Sequence, residues 1–193
     1  MRNPSPLPDG LRFVDASAEE HFKAMSLIHA RGWRDTYVGA VPQDYLDTQI
    51  TDDRWVPVFR ENCLTRNGCH GLLLYRGDTP VACLNYCPAR KVNYNTAEIC
   101  RFDNAGYEDY GEIASFYTEP RERGKGYGGL LMEEALRRLK QMGHENAFVF
   151  VLRENERARK FYAAHGFAWD GTFNEIPFPP DTICVDLRYV RKL

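Results

Sequence analysis

Between positions 112 and 143 the chain runs from an apolar segment, EIASFYT, through a glycine-rich stretch, PRERGKGYGG, into a segment whose apolar residues recur every three or four positions. That succession predicts a strand, a loop and an amphipathic helix, because side chains share a face at period two in a strand and at 3.6 in a helix. Leu130, Leu131, Met132, Ala135, Leu136, Leu139 and Met142 make the apolar face, and Gly143 ends it. The loop also restricts the chemistry. Glycines let backbone amides converge on an anion, and the following helix adds the partial positive charge of its N-terminus. A phosphate group fits such a cradle.

Two motifs compete for the same letters. Gly124, Gly126 and Gly129 satisfy the GxGxxG of a dinucleotide-binding turn. That motif places its first glycine at the strand end, whereas a polar insert at 119–123 intervenes here, more than a hundred residues into the chain. No acidic residue closes a second strand about 20 residues on, as ribose recognition would need. Lys125 does not precede Ser or Thr, so a P-loop fails as well. Read from Arg123, the stretch is instead R-x-x-G-x-G, with Gly126 and Gly128.

The rest of the chain reads as one α/β domain behind a flexible start at 1–10. A strand is expected at 11–14, then a helix opened by a capping box at Ser17 and running to about Tyr37. Pro42 begins a second short helix, and RWVPVFRENCL is helical but interrupted by Pro57. Strands at 71–75 and 81–87 form a hairpin about RGDTP, and a polar loop fills 88–109. Beyond the amphipathic helix come a strand at 147–152, a helix at 155–165 closed by Gly166, and strands at 167–173 and 182–190.

At 193 residues with 44% hydrophobic content the chain is long enough for one substantial core. A net charge of −2 carries no footprint for nucleic acid, and no apolar run reaches the roughly 20 residues of a membrane span. Without an apolar leader the expected compartment is the cytoplasm, where the six cysteines remain thiols. Cys63, Cys69, His70, Cys83 and Cys87 fit no zinc spacing, so no metal site is expected.

Three ordered pieces, EIASFYTEP, RGKGYGG with its helix, and NERARKFYAAHGF after the next strand, resemble the acetyl-CoA core of the GNAT superfamily of N-acetyltransferases. The resemblance covers less than a third of the chain. It implies a mixed, mostly antiparallel central sheet flanked by helices, and acetyl-CoA as acetyl donor. It implies further that the loop residues Arg123, Gly124, Lys125, Gly126, Tyr127, Gly128 and Gly129 take the pyrophosphate. Phe116, Tyr117 and Thr118, on a strand that leaves its neighbour at a bulge, would hold the pantetheine and polarise the carbonyl, and Asn155 would bond its amide. Asn155 is also a good helix N-cap.

By the same resemblance Tyr162 protonates the departing thiolate, and Glu112 stands eleven residues before Arg123, where one branch carries a general base. A phenol with an ordinary pKa near 10 remains protonated at neutral pH and suits the first role. A carboxylate near 4.3 suits the second only if its environment raises it or water relays the proton, and a salt-bridged strand-end glutamate is the alternative. Trp33, Tyr37 and Tyr45 are candidate walls for the acceptor, or else core. Asp103, Glu108 and Asp109 could draw a cationic amine. The expectation is direct acetyl transfer to a small-molecule primary amine, by a monomer or homodimer. A protein N-terminal or lysine acetyltransferase is the alternative enzyme, and a non-catalytic acyl-CoA sensor the alternative outside enzymology.

Overall fold

The protein is described here by a computed structural model, which covers residues 7–65, 68–90, 92–93, 100–101 and 104–193. Its centre is a seven-stranded sheet. β1 (Leu11–Asp15), β2 (His70–Arg76), β3 (Thr79–Pro88) and β6 (Gly111–Thr118) pair antiparallel in succession. β7 (Asn146–Leu152) runs parallel to β6, and β9 (Thr182–Lys192) and β8 (Ala168–Phe178) follow antiparallel at the far side. Two short strands, β4 (Val92–Asn93) and β5 (Cys100–Arg101), pair in the excursion between β3 and β6. The sheet is mixed and mostly antiparallel, as expected.

Alternation along the strands feeds two cores. Leu73 faces a cluster with Phe22, Met25, Ile28 and Trp55, beneath α1 (Glu19–Thr36), α2 (Gln43–Gln49) and α3 (Val56–Leu64). Leu72 and Leu74 face Leu131, Leu136 and Leu139 of α4 (Tyr127–Gln141), on the side that also carries α5 (Glu156–Ala164). Both faces are thus covered, and these strands read as nearly continuous apolar runs.

Local expectations changed in three places, and a fourth falls outside the described residues. Pro57 lies in the first turn of α3, where its missing N–H costs nothing, so it starts this helix and does not interrupt it. Ala18 is the N-cap of α1 and no side chain caps it; the Ser17 backbone N–H instead donates to His21 Nδ1 at 3.3 Å. β8 extends five residues past the expected 173, which carries Ile176 and Phe178 into the core. Asp103 lies outside the described residues.

One break in the sheet positions everything that follows. β6 pairs with β7 only through Gly111, Glu112 and Ile113. On its other edge the register with β3 shifts between Ile113↔Tyr86 and Ser115↔Asn85, so Ala114 is a bulge. A bulge bends and twists its strand. From Ala114 onward β6 leaves β7, and the two open a wedge in the middle of the sheet.

Candidate active site

The wedge holds a cavity of about 520 Å³ that reaches from the glycine loop to α1 and β9, within the range of small-molecule sites. Of the residues expected to hold the coenzyme, Lys125 stays out of its lining; its ammonium pairs with Glu122 at 2.8 Å near the surface.

At one end, Gly124 and Gly126 take φ of +79° and +83°, a conformation that other L-residues enter at a cost of about 1–2 kcal/mol. Gly126 is the N-cap of α4, and no side chain caps this terminus. Tyr127, Gly128 and Gly129 line the cavity, so the first turn faces it with its amide donors uncapped. Gly128 also lets α4 sit down on β6, since a Cβ there would meet Phe116 at 3.2 Å. Arg123 lies beside this loop and pairs with Asp35, with a bond to Thr36 Oγ1 at 3.3 Å. Arg157 bonds the same hydroxyl at 3.4 Å. Two cations therefore border the glycine loop.

Along the wedge, β6 from Ala114 has no strand partner on its β7 side, leaving one edge of its backbone available for an extended ligand. Phe116, Tyr117 and Thr118 line this stretch. Asn155 meets its capping expectation, its Oδ1 accepting from Ala158 N at 3.1 Å. Its side-chain nitrogen has no partner among the described residues.

The far end of the cavity is phenolic. Tyr162 is 5% exposed and packs edge-on against Phe161 and Phe167. It lines the cavity with no hydrogen-bond partner for its hydroxyl among the described residues. Burial raises its pKa, so it remains a proton donor over the whole neutral range. Tyr37 and Tyr117 share a hydrogen bond of 3.1 Å, and burial pushes Tyr37 to about 12. The Tyr117 ring fits because α1 has a glycine in its middle: a Cβ at Gly32 would stand 2.3 Å from Tyr117 Cδ1. His29 stacks on Tyr117 and Trp55, and burial lowers it to about 3, so it is a neutral and poor base. Trp33 lines the cavity as expected, and its indole N–H has no partner among the described residues. Tyr45 does not line it; it packs in the core against Phe178, its hydroxyl accepting from Arg54.

Two carboxylates differ sharply. Glu112 borders the cavity but is 2% exposed and held by Arg90, which donates from its backbone N–H at 2.9 Å, from Nε at 3.1 Å and from a terminal nitrogen at 2.7 Å. Asn104 donates to the Arg90 carbonyl, so this cluster anchors the start and end of the β3–β6 excursion. Asp186, which sequence reasoning missed, lines the cavity from β9 and has no hydrogen bond or ion pair among the described residues. Burial, and then the charge of Glu154, raises it to about 7. The signal was present as a lone acid inside the apolar run TICVDLRYV. Glu108 and Asp109, expected to draw a cation, stand outside the lining; the acid at the phenolic end comes from the last strand.

A family profile described as Acetyltransferase (GNAT) family matches residues 30–167, well over half of the chain. The chain belongs to the GNAT acetyltransferase family. Among solved structures, this GNAT protein superposes on the PaiA N-acetyltransferase of Thermoplasma acidophilum in complex with coenzyme A, with a TM-score of 0.68, 16% identity, and coverage of 95% of this chain and 99% of the other. It also superposes on YncA of Salmonella typhimurium, provisionally named an acetyltransferase and solved with its cofactor acetyl-CoA, with a TM-score of 0.65, 13% identity and coverage of 96% and 95%. These likenesses are of fold. A Bacillus subtilis relative provisionally named phosphinothricin acetyltransferase YwnH is 33% identical over 72 residues, 37% of this chain and 44% of that protein. An Archaeoglobus fulgidus relative named as an uncharacterized N-acetyltransferase is 43% identical over 54 residues, 28% and 37% of the two. The GNAT chain thus spans less than half the length of these curated relatives.

Proposed function

We propose that the protein transfers an acetyl group from acetyl-CoA to the primary amine of a small molecule, by direct attack with both substrates bound. The observation that carries this reading is the wedge between β6 and β7, which joins an uncapped helix N-terminus, a free strand edge and a buried, unpartnered phenol in one cavity.

The residues fit the donor. Backbone amides of Gly126, Gly128 and Gly129 would take the pyrophosphate, with Arg123 and Arg157 beside it. The open β6 edge at Phe116, Tyr117 and Thr118 would pair with the pantetheine as a strand pairs with its neighbour, and the Asn155 amide nitrogen would donate to it. When bound, acetyl-CoA supplies an activated thioester carbonyl. Tyr162 is placed to donate its hydroxyl proton to the leaving sulfur, since burial keeps it protonated.

We assign Glu112 to the Arg90 ion pair and not to proton abstraction, because both carboxylate oxygens already accept from Arg90. A small acceptor is supported by the limited volume of the cavity and its aromatic walls at Trp33 and Tyr37, and by a relative named for phosphinothricin, itself a small molecule.

The test is a calorimetric titration with acetyl-CoA, with NADH and ATP as controls, followed by thiol release across a panel of amines. Saturable binding of acetyl-CoA alone and steady amine-dependent turnover are expected. Binding of NADH in its place would overturn the donor assignment, and binding without turnover on small amines or peptide N-termini would favour a sensor.

A further inference from the structure

Asp186 lines the cavity beside a wall of rings, and its carboxylate has no partner among the described residues. Asp186 shares a face of β9 with Cys184, a residue of the core under α1. Its strand neighbours are Leu152 at the end of β7, where the wedge is open, and Asn174 of β8, whose amide nitrogen also lacks a partner among the described residues. The ionisable groups around it are Tyr37 from α1, Tyr117 from β6, Tyr162 from α5, Glu154 after β7, and Cys184 and Arg188 on β9 itself. Arg188 is engaged with Asp170 at 2.7 Å and with the ring of Tyr107 at 3.6 Å. Burial, and then the Asp186 charge among others, raises the pKa of all three phenols, so they stand within its electrostatic reach. Each phenol is thereby held protonated.

We infer that Asp186 seats the ammonium group of the acceptor and takes the proton that frees its lone pair, and that the acceptor is a cationic monoamine with an apolar or aromatic body. This inference rests on the acetyl-transfer reading above. A partly buried carboxylate that lines a cavity and has no partner among the described residues calls for a cation, and rings such as Tyr37, Tyr117 and Trp33 can supply further attraction to one. Glu154, the other acid near Asp186, is paired with Arg153 at 3.0 Å, so one unpaired acid matches a single ammonium and a polyamine would bring charges with no free counterpart here. His29 is neutral and walled in by rings, and Glu112 is committed to Arg90. Asp186 titrates near neutrality, where a base of moderate strength is most useful.

The step balances. The ammonium passes one proton to the Asp186 carboxylate, and the nitrogen lone pair forms the C–N bond at the thioester carbonyl carbon. The C–S bond breaks with its electron pair on sulfur, which receives the Tyr162 proton. The second nitrogen proton restores Tyr162, and Asp186 releases its own to solvent, so one proton leaves per turnover.

The test compares Asp186→Asn with the natural protein, using phenethylamine, spermidine and phenylalanine as acceptors and calorimetry with phenethylamine in the presence of coenzyme A. Phenethylamine should be the best of the three. In the variant, acetyl-CoA binding should be unchanged and kcat/KM for phenethylamine should fall by about 100-fold or more, as expected for loss of a general base. The limb of the pH profile near 7 should disappear, and phenethylamine binding should weaken by at least about 30-fold, the lower bound for removing one partner of a desolvated ion pair. Turnover by the natural protein together with an unshifted profile and equal phenethylamine affinity in the variant would overturn the role of Asp186 while leaving acetyl transfer intact. Should no amine be acetylated, the activity reading fails, and the calorimetry still decides the seat: equal binding to both proteins refutes it, and selective loss in the variant supports it. Preference for spermidine would refute the monoamine class.

Discussion

Glu112→Gln preserves the shape of the side chain and withdraws the charge that faces Arg90. The pair is well shielded, with side-chain exposures of 2% for Glu112 and 17% for Arg90, and Arg90 directs three donors at the carboxylate. Breaking a buried pair from one side leaves the other charge uncompensated, at a cost of about 3–5 kcal/mol. In a chain of this length each kcal/mol moves Tm by roughly 2–4 °C, which puts the expected fall at about 6–20 °C. Removing both charges, with Arg90→Met and Glu112→Leu together, should recover most of the loss, because no lone ion then remains. Calorimetric melting of the three proteins measures this. Initial rates taken well below each Tm should show kcat of Glu112→Gln within about threefold of the natural value, since no interaction confined to the transition state is removed. An unchanged Tm combined with loss of the limb of the pH profile near neutrality would refute the reasoning and make Glu112 the proton acceptor.

Tyr162→Phe removes a hydroxyl that bonds nothing among the described residues while keeping the buried ring. Stability should therefore hold, and kcat should fall by about 10²–10⁴-fold with acetyl-CoA affinity intact; stopped-flow thiol detection alongside calorimetry would check both. Gly32→Ala gains about 1 kcal/mol of helix propensity. Its Cβ collides with Tyr117, and overpacking of about 1–3 kcal/mol should leave a small net loss in urea titration together with a raised KM for the amine. Gly126→Ala, forced into a left-handed conformation at about 1–2 kcal/mol, should weaken acetyl-CoA binding in calorimetry. Asp186 binds its proton more tightly folded, at about 7, than its ordinary value of 3.8. The folded state therefore gains stability below pH 4 and loses it as pH rises through 7, by at most about 4 kcal/mol. Chemical denaturation from about pH 4 to pH 8 should show this slope in the natural protein and its absence in Asp186→Asn.

The local signals survived folding well because they concern neighbours along the chain. The period of the run from Leu131 to Leu139 required a helix with one apolar face, and it buries that face. Glycines at 124 and 126 stand where the backbone turns left-handed, and Asn155 caps α5. Even Pro57, read as an interruption, obeyed a local rule; its place in the helix was misjudged by a few residues, and with it the sign of its effect.

What the amino-acid sequence determined alone was thus the order of the main strands and helices, the left-handed glycine turn before α4 and the Asn155 cap, since each depends on contacts within one turn or one strand. Tertiary structure decided which carboxylate is free. Arg90 and Glu112 stand 22 positions apart and meet only when β3 and β6 pair. Asp186 reaches Tyr37 and Tyr162 only because β9 lies beside β7 at the open end of the wedge. The charge state of an acid is set by what surrounds it in space, and a strand in isolation holds no record of which strands will flank it or where the sheet will part.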